Sequence, residues 1–139
     1  MDFCSIESGS SGNCTYTGTD HTALLVDAGV SARQIEKGLK SIDRTATDID
    51  GILVTHEHSD HIKGLSTISH KFDIPVFTTR ETFDAMPKQS DKISDINKKN
   101  ISIDEKFSIG DIEILPFSIP HDAANPCGYT LFSDNKKIS

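Results

Sequence analysis

The sequence contains few cysteines and no long hydrophobic run, and each absence excludes a class of protein. Its three cysteines, Cys4, Cys14 and Cys127, are widely spaced and form no C-x-x-C pair, so a disulfide framework and a thiolate zinc site have no support. Nowhere do about 18 apolar residues follow one another, and no basic segment leads into an apolar one at the N-terminus. We therefore predict a cytoplasmic chain with reduced thiols and no membrane partner.

Basic residues are outnumbered by acidic ones. The 139 residues include 14 Lys and Arg against 21 Asp and Glu, which gives a formal net charge of -7. This balance counts against a wide basic surface for nucleic acid or anionic lipid, although a bound cation can reverse the field inside a cleft. The composition is otherwise ordinary for a globular protein, and the length favours a single domain over residues 1–139.

Strand-like and helix-like segments alternate along the first part of the chain, which is typical of an α/β domain. Segments 14–20 and 21–29 flank a polar turn and predict an antiparallel hairpin. The following segment, 31–42, predicts a helix, because Ser31 and Gln34 form a capping-box pattern ahead of apolar residues at helical spacing.

The next segments predict a crossover between two parallel strands. "GILVT" is a short, continuously apolar strand, 62–72 has helical spacing, and "IPVFTT" is again a strand. Beyond it, 81–100 is polar and broken by Pro87, which favours short helices or a surface excursion. "KFSIGDIEILPFSI" predicts a hairpin and "CGYTLF" one more strand, while "SDNKK" predicts a turn with no further strand.

Three histidines, a glutamate and an aspartate occupy the six positions from His56 to His61, directly after the predicted strand "GILVT". Ligand sites collect at this end of the strands in open α/β sheets. His56 and His58 project to the same side of an extended segment and can bind one metal, while Asp60 and His61 come from the next turn and can address a second. A pattern H-x-H-x-D-H arises by chance in roughly one such sequence in a thousand, so a solvated histidine-rich loop is the weaker interpretation.

A further ligand is expected from elsewhere in the chain. His121 is the best candidate because it follows a strand end and sits behind Pro120. His21 lies beside a hairpin turn and His70 on a helix, where a surface histidine is the usual explanation. Nitrogen and oxygen ligands without thiolates suit zinc, manganese or iron.

These residues carry a resemblance to a known family. The run "LLVDAG", followed by "VTHEHSDHIKG" and by a later strand ending near His121, resembles the metallo-β-lactamase fold superfamily of metallohydrolases. Within that superfamily, "SGSSGNC", "TDIDGILVTHEHSDHIKGL" and "FSIPHDAANPCGY" are similar to the YycJ (WalJ) family, whose members are exonuclease-like phosphodiesterases acting on DNA.

The resemblance implies a fold and a ligand set. The family fold is an α/β four-layer αββα sandwich, and this chain matches its first βα half plus the start of the second, so residues 1–139 are expected to form an incomplete domain whose remaining ligands lie beyond Ser139. By resemblance, a first metal is bound by His56, His58 and His121, and a second by Asp60 and His61. Asp27 matches an aspartate that supports the ligand loop, and a turn-forming role before Gly29 is the alternative.

The implied activity is hydrolysis with two divalent ions, zinc or manganese, and with Asp60 orienting the nucleophilic water. The substrate expected for the complete protein is DNA or another phosphodiester. Two alternatives stay open: a thioester or lactone hydrolase of the same fold, and a truncated, inactive metal-binding half domain. "SGSSGN" is neither G-x-S-x-G nor a P-loop, so we interpret it as a turn whose backbone N–H groups can approach phosphate.

Overall fold

The computed structural model describes residues 12–88, 92–120 and 123–133 in full, and the backbone of two further strands, 2–7 and 136–138. Its strands are β1 (Asp2–Glu7), β2 (Cys14–Gly18), β3 (Ala23–Val26), β4 (Gly51–Leu53), β5 (Val76–Thr78), β6 (Lys98–Asn100), β7 (Phe107–Ile109), β8 (Ile112–Ser118), β9 (Cys127–Ser133) and β10 (Lys136–Ile138). Its α-helices are α1 (Ala32–Ser41), α2 (Ser59–Ile62), α3 (Leu65–Phe72) and α4 (Arg80–Ala85), and short 3-10 turns lie at Ala46–Asp48 and Asp95–Asn97.

The strands form two sheets. The first has the order β1-β2-β3-β4-β5-β6, with β1 to β3 antiparallel and β3 to β6 parallel. The second has the order β10-β9-β8-β7 and is antiparallel throughout. The predicted hairpins at 14–29 and 107–118 are confirmed, and so is the parallel crossover from β4 to β5.

Helix α1 begins where the capping box predicted it. The Ser31 hydroxyl accepts a hydrogen bond from the Gln34 backbone N–H at 3.2 Å, and the Gln34 side chain accepts one from the Ser31 backbone N–H at 3.3 Å. Two of the amide groups that have no partner inside the helix are thereby satisfied. Ile35 and Leu39 are fully buried, so the predicted apolar face packs into the core.

Alternate residues of the first sheet face two different cores. Leu25 and Ile52 belong to the core shared with α1 and α3. Leu24 and Leu53, one position away on the same strands, belong to the core shared with β8 and β9 of the second sheet. Each such buried side chain contributes roughly 1.5–3 kcal/mol to folding. The described residues therefore form three layers, helices on a sheet on a sheet, in agreement with the predicted metallo-β-lactamase-like half.

The outer face of the second sheet carries large apolar side chains that are only partly exposed. Leu115, Phe117 and Phe132 alternate with the buried residues of β8 and β9, and each is half-buried. Phe117 lies over Gly128, where an added Cβ would come within 2.4 Å of its ring. Among the described residues, the large hydrophobic side chain that stands out in solvent is Ile96, which is 81% exposed.

Three strands were not predicted. β1 pairs with β2, β6 pairs with β5, and β10 pairs with β9, so the prediction that no strand follows "SDNKK" is wrong. The sequences of β6 and β10, "KKN" and "KKI", show no apolar alternation. Each lies at an edge of its sheet and pairs with one neighbouring strand that offers unpaired backbone groups, and lysines are common in edge strands.

Cys14 and Cys127 are buried, free thiols. Burial, together with the nearby Asp27 charge, raises the pKa of Cys14 to about 12. Burial likewise raises the pKa of Cys127 to about 11, against a hydrogen bond with Tyr129 that lowers it. Both thiols therefore remain protonated at neutral pH, which fits the prediction of reduced thiols for these two cysteines. No helix in the described part of the chain is long and apolar enough to cross a membrane.

Candidate metal centre

The histidine-rich loop connects the end of β4 to α2, and its entry is held from two neighbouring strands. The Val54 backbone N–H donates to the Phe77 carbonyl at 3.0 Å, and the Tyr129 hydroxyl donates to the Val54 carbonyl at 2.6 Å. The Cys127 backbone N–H donates to the Thr55 carbonyl at 3.0 Å. The loop therefore leaves the first sheet in a direction fixed by both sheets.

Three predicted ligands converge at this loop. His56, His58 and Asp60 each offer one ligand atom, and these atoms all lie within 4.8 Å of one another. The His61 ring lies beside them, with its centroid 3.9 Å from that of His56. Imidazole nitrogens and a carboxylate oxygen are ordinary ligands of zinc and manganese. Since His56 is buried while His58 and Asp60 are half-buried, the donor set fits a divalent ion at a position that solvent can still reach.

Asp27 supports the loop from the end of β3. Its carboxylate accepts hydrogen bonds from the Thr55 backbone N–H and the Thr55 hydroxyl, both at 2.8 Å. It also accepts one from Nδ1 of His61 at 2.7 Å. With Nδ1 committed to the carboxylate, Nε2 of His61 is the nitrogen left to face a metal. Asp27 also has a positive φ of 63°, so the turn role that the sequence left open is present as well.

Burial and the mutual interaction of Asp27 and His61 shift the pKa values of both side chains. Burial raises the pKa of the Asp27 carboxyl, and the hydrogen bonds and charge of His61 and the hydrogen bonds of Thr55 oppose that rise without cancelling it. For His61, burial lowers the pKa, but the hydrogen bond and charge of Asp27 and the charge of Asp60 outweigh it, so the net shift is upward. Each partner thus stabilises the other in a site with little water.

Asn13 is a site residue that sequence reasoning missed. Its backbone N–H donates to the Asp60 carbonyl at 2.7 Å, and its own carbonyl accepts from the Gly29 backbone N–H at 2.8 Å. Its side-chain nitrogen lies 3.2 Å from Nε2 of His61. Asn13 therefore joins three segments around the start of α2. The run "SGSSGNC" was singled out in the sequence, but residues 8–11 lie outside the described part, and nothing in the spacing pointed to Asn13.

Glu57 also has a contact that the sequence did not suggest. Its two carboxylate oxygens accept from the Ala124 backbone N–H at 3.1 and 3.4 Å. This contact joins the histidine-rich loop to the segment that precedes β9. His121 lies outside the described residues, so its ligand role stays a prediction. His21 and His70 are exposed, as expected for surface histidines.

Replacing Asp27 with alanine is expected to weaken zinc binding by about 10- to 100-fold, because the loss frees the His61 ring and the Thr55 backbone from their common acceptor. Titration calorimetry with zinc would measure the change, and Asp84→Ala, at an exposed carboxylate on α4, is the matched control. Chemical unfolding of each variant would show that the fold persists. A zinc affinity equal to that of the unsubstituted chain would exclude the supporting role of Asp27.

A family model and individual known proteins both resemble this chain. The family model described as "Beta-lactamase superfamily domain" matches residues 22–139. The chain is 42% identical over 139 residues to exodeoxyribonuclease YycJ of Bacillus anthracis, covering 100% of this chain and 53% of that protein. It is 38% identical over 135 residues to exodeoxyribonuclease WalJ of Streptococcus pneumoniae, covering 96% of this chain and 50% of that protein.

Solved structures show the same fold. A metallo-beta-lactamase from Cronobacter sakazakii, altered in its HARLDQ motif, superposes with a TM-score of 0.78 at 16% identity, covering 96% of this chain and 57% of that one. The chain thus spans about half the length of the proteins that it matches.

Proposed function

The chain belongs to the beta-lactamase superfamily, and from that membership we propose that it is part of a metal-dependent hydrolase that cleaves phosphodiester bonds in DNA. The observation that carries the proposal is the convergence of His56, His58 and Asp60 ligand atoms within 4.8 Å at the end of a buried strand. The relatives named exodeoxyribonucleases favour DNA as the substrate.

We assign the ligands as follows. His56 and His58, together with His121, would bind a first divalent ion, zinc or manganese, and Asp60 and His61 would bind a second, His61 through Nε2. A divalent ion in such a site acts as a Lewis acid toward water and toward a phosphoryl oxygen. Asp27 and Thr55 hold the His61 ring in position through the hydrogen bonds described above.

Asp60 has a second role in this proposal. Its side chain is 43% exposed, and one carboxylate oxygen lies 3.5 Å from Nε2 of His61. A carboxylate in that position has lone pairs left over to accept a proton from an attacking water and to orient it toward phosphorus. His56 is buried and already lies against two other imidazole rings, so it is less suited to that task.

Hydrolysis of three substrates tests the proposal. The chain is joined to the part of the Bacillus anthracis relative that it does not cover, and the chimaera is given DNA, a small phosphodiester and a thioester, each with manganese or zinc. We expect the chimaera to release nucleotides from DNA, and we expect no release once a chelator has removed the metal. Cleavage of the thioester with neither phosphodiester attacked would favour the alternative, a thioester or lactone hydrolase of the same fold, and would reject the nuclease.

The chain alone is expected to bind metal but not to turn over substrate, because it spans about half the length of those relatives. Running the 139-residue chain beside the chimaera tests this expectation. Equal activity in both would show that these residues contain the complete catalytic centre.

A further inference from the structure

A cleft of about 360 Å³ lies beside the candidate metal centre. One wall comes from the histidine-rich loop and from α2, the next from the start of α3, and the far wall from Met86, Pro87 and Lys92. None of its lining residues was singled out by the sequence for a binding role.

The cleft adjoins the histidine-rich loop, and none of the candidate metal ligands in the described part of the chain lines it. Glu57 and Ser59 line it, and they alternate along the chain with His56, His58 and Asp60. Consecutive Cα atoms are about 3.8 Å apart, so the cleft begins within one residue of the ligand group. A polymeric substrate held at the metal centre and continuing past the loop would bring its neighbouring unit to this cleft.

The charge of the cleft is opposite in sign to that of the chain. Lys63 and Lys92 line it, both are exposed, and in the described part of the chain neither ammonium group has a carboxylate partner. The acidic residue in the lining is Glu57, whose carboxylate is held by the Ala124 N–H. Two lysines without a carboxylate partner among the described residues, in a molecule with a net charge of -7, give a local attraction for anions.

The remaining lining is apolar on one side and hydroxylic on the other. Ile62, Leu65 and Met86 offer aliphatic surface, and Ser66 and Thr67 at the start of α3 offer hydroxyl groups. An apolar surface beside free lysines suits a nucleotide, since the base has a flat, weakly polar face and the phosphate is an anion. A free phosphate would leave the apolar side without a function.

We propose that this cleft binds one nucleotide of a single DNA strand, with its phosphate at Lys63 and Lys92 and its base against the aliphatic side, next to the phosphodiester at the metal centre. The inference rests on the proposed function and names the subsite that holds the strand. Lys63 and Lys92 bind the strand and are not part of the metal centre.

Measuring the affinity of the chain for DNA in the absence of metal tests the proposal. Fluorescence anisotropy of a labelled single-stranded oligothymidylate is measured with the 139-residue chain in a chelator, over a range of salt concentrations. In the double variant Lys63→Ala with Lys92→Ala, we expect binding to weaken by about tenfold and the slope of log affinity against log salt to fall by roughly 1.4, because two phosphate contacts are lost.

Two matched variants serve as controls. Lys37→Ala with Lys40→Ala removes the same charge from exposed positions of α1 outside the cleft, and it should change affinity less than about twofold. Lys63→Arg with Lys92→Arg keeps the charge in the cleft and should retain the affinity of the unsubstituted chain. Equal weakening by both alanine pairs, or no binding by the unsubstituted chain, would overturn the proposal.

Failure of the nuclease proposal and failure of the cleft proposal give different experimental results. If the chimaera hydrolyses no phosphodiester but the cleft lysines still govern DNA binding, the cleft proposal stands and the nuclease proposal fails. If the chimaera degrades DNA and the alanine pair in the cleft changes neither DNA affinity nor KM for DNA, the nuclease proposal stands and the cleft proposal fails. A small diester does not reach the cleft, so its kcat/KM should be unchanged by the cleft variants in an active chimaera.

Discussion

Replacing Asp60 with alanine in the chimaera is expected to lower the rate of DNA hydrolysis by about 10²–10⁴-fold, the largest effect on activity that we predict. The carboxylate belongs to the converging ligand group and is also the exposed acceptor next to His61. Its removal would take away one proposed metal ligand and the group proposed to orient water. The measurement is the initial rate of nucleotide release at saturating manganese.

The fold should survive this change, because Asp60 is half-buried and supports α2 through its backbone carbonyl, which alanine keeps. Asp84→Ala on α4 is the control, and it should leave the rate unchanged. Full activity of the Asp60 variant would remove the residue from the catalytic centre and leave the metal assignment to the histidines alone.

Gly29→Ala is expected to have the largest effect on stability, a loss of about 2–4 kcal/mol in the free energy of unfolding. A Cβ built at Gly29 would lie 1.8 Å from the Asp60 carbonyl oxygen and 2.6 Å from the Asn13 backbone nitrogen. Both neighbours are backbone atoms, so no side-chain rotation can relieve the clash. The loop after β3, the Asn13 segment and the start of α2 would have to separate.

Chemical unfolding of the 139-residue chain measures this loss. Gly38→Ala is the matched control, because Gly38 lies inside α1, where alanine is favoured over glycine and should be neutral or stabilising by up to about 1 kcal/mol. Equal stabilities of the two variants would show that the three segments are not in close contact around Gly29.

The sequence predicted the local elements well because each has its own periodic signal. The capping box at Ser31 and Gln34, the apolar strand β4 and the polar turn between β2 and β3 depend on neighbours only a few residues away. The histidine-rich loop was predicted for the same reason: its ligand residues stand within six positions of one another.

The contacts that support the site could not be predicted in the same way. The hydroxyl of Tyr129 reaches the Val54 carbonyl across 75 residues, and Asn13 reaches the Asp60 carbonyl across 47. Neither residue type carries a spacing signal, and both contacts depend on how the layers pack. Asp27 was assigned through the family resemblance, and the alternative turn role could not be separated from it without the hydrogen bonds to Thr55 and His61.

We propose that the converging ligand atoms of His56, His58 and Asp60 belong to a centre that binds divalent metal. The most direct measurement is the zinc content of the purified 139-residue chain by elemental analysis, after incubation with zinc and removal of the free ion. We expect about one ion per chain, its loss in His58→Ala, and its retention in His70→Ala, where the exposed histidine lies on α3. A chain without zinc, or a His58→Ala variant that retains as much zinc as the unsubstituted chain, would contradict the claim.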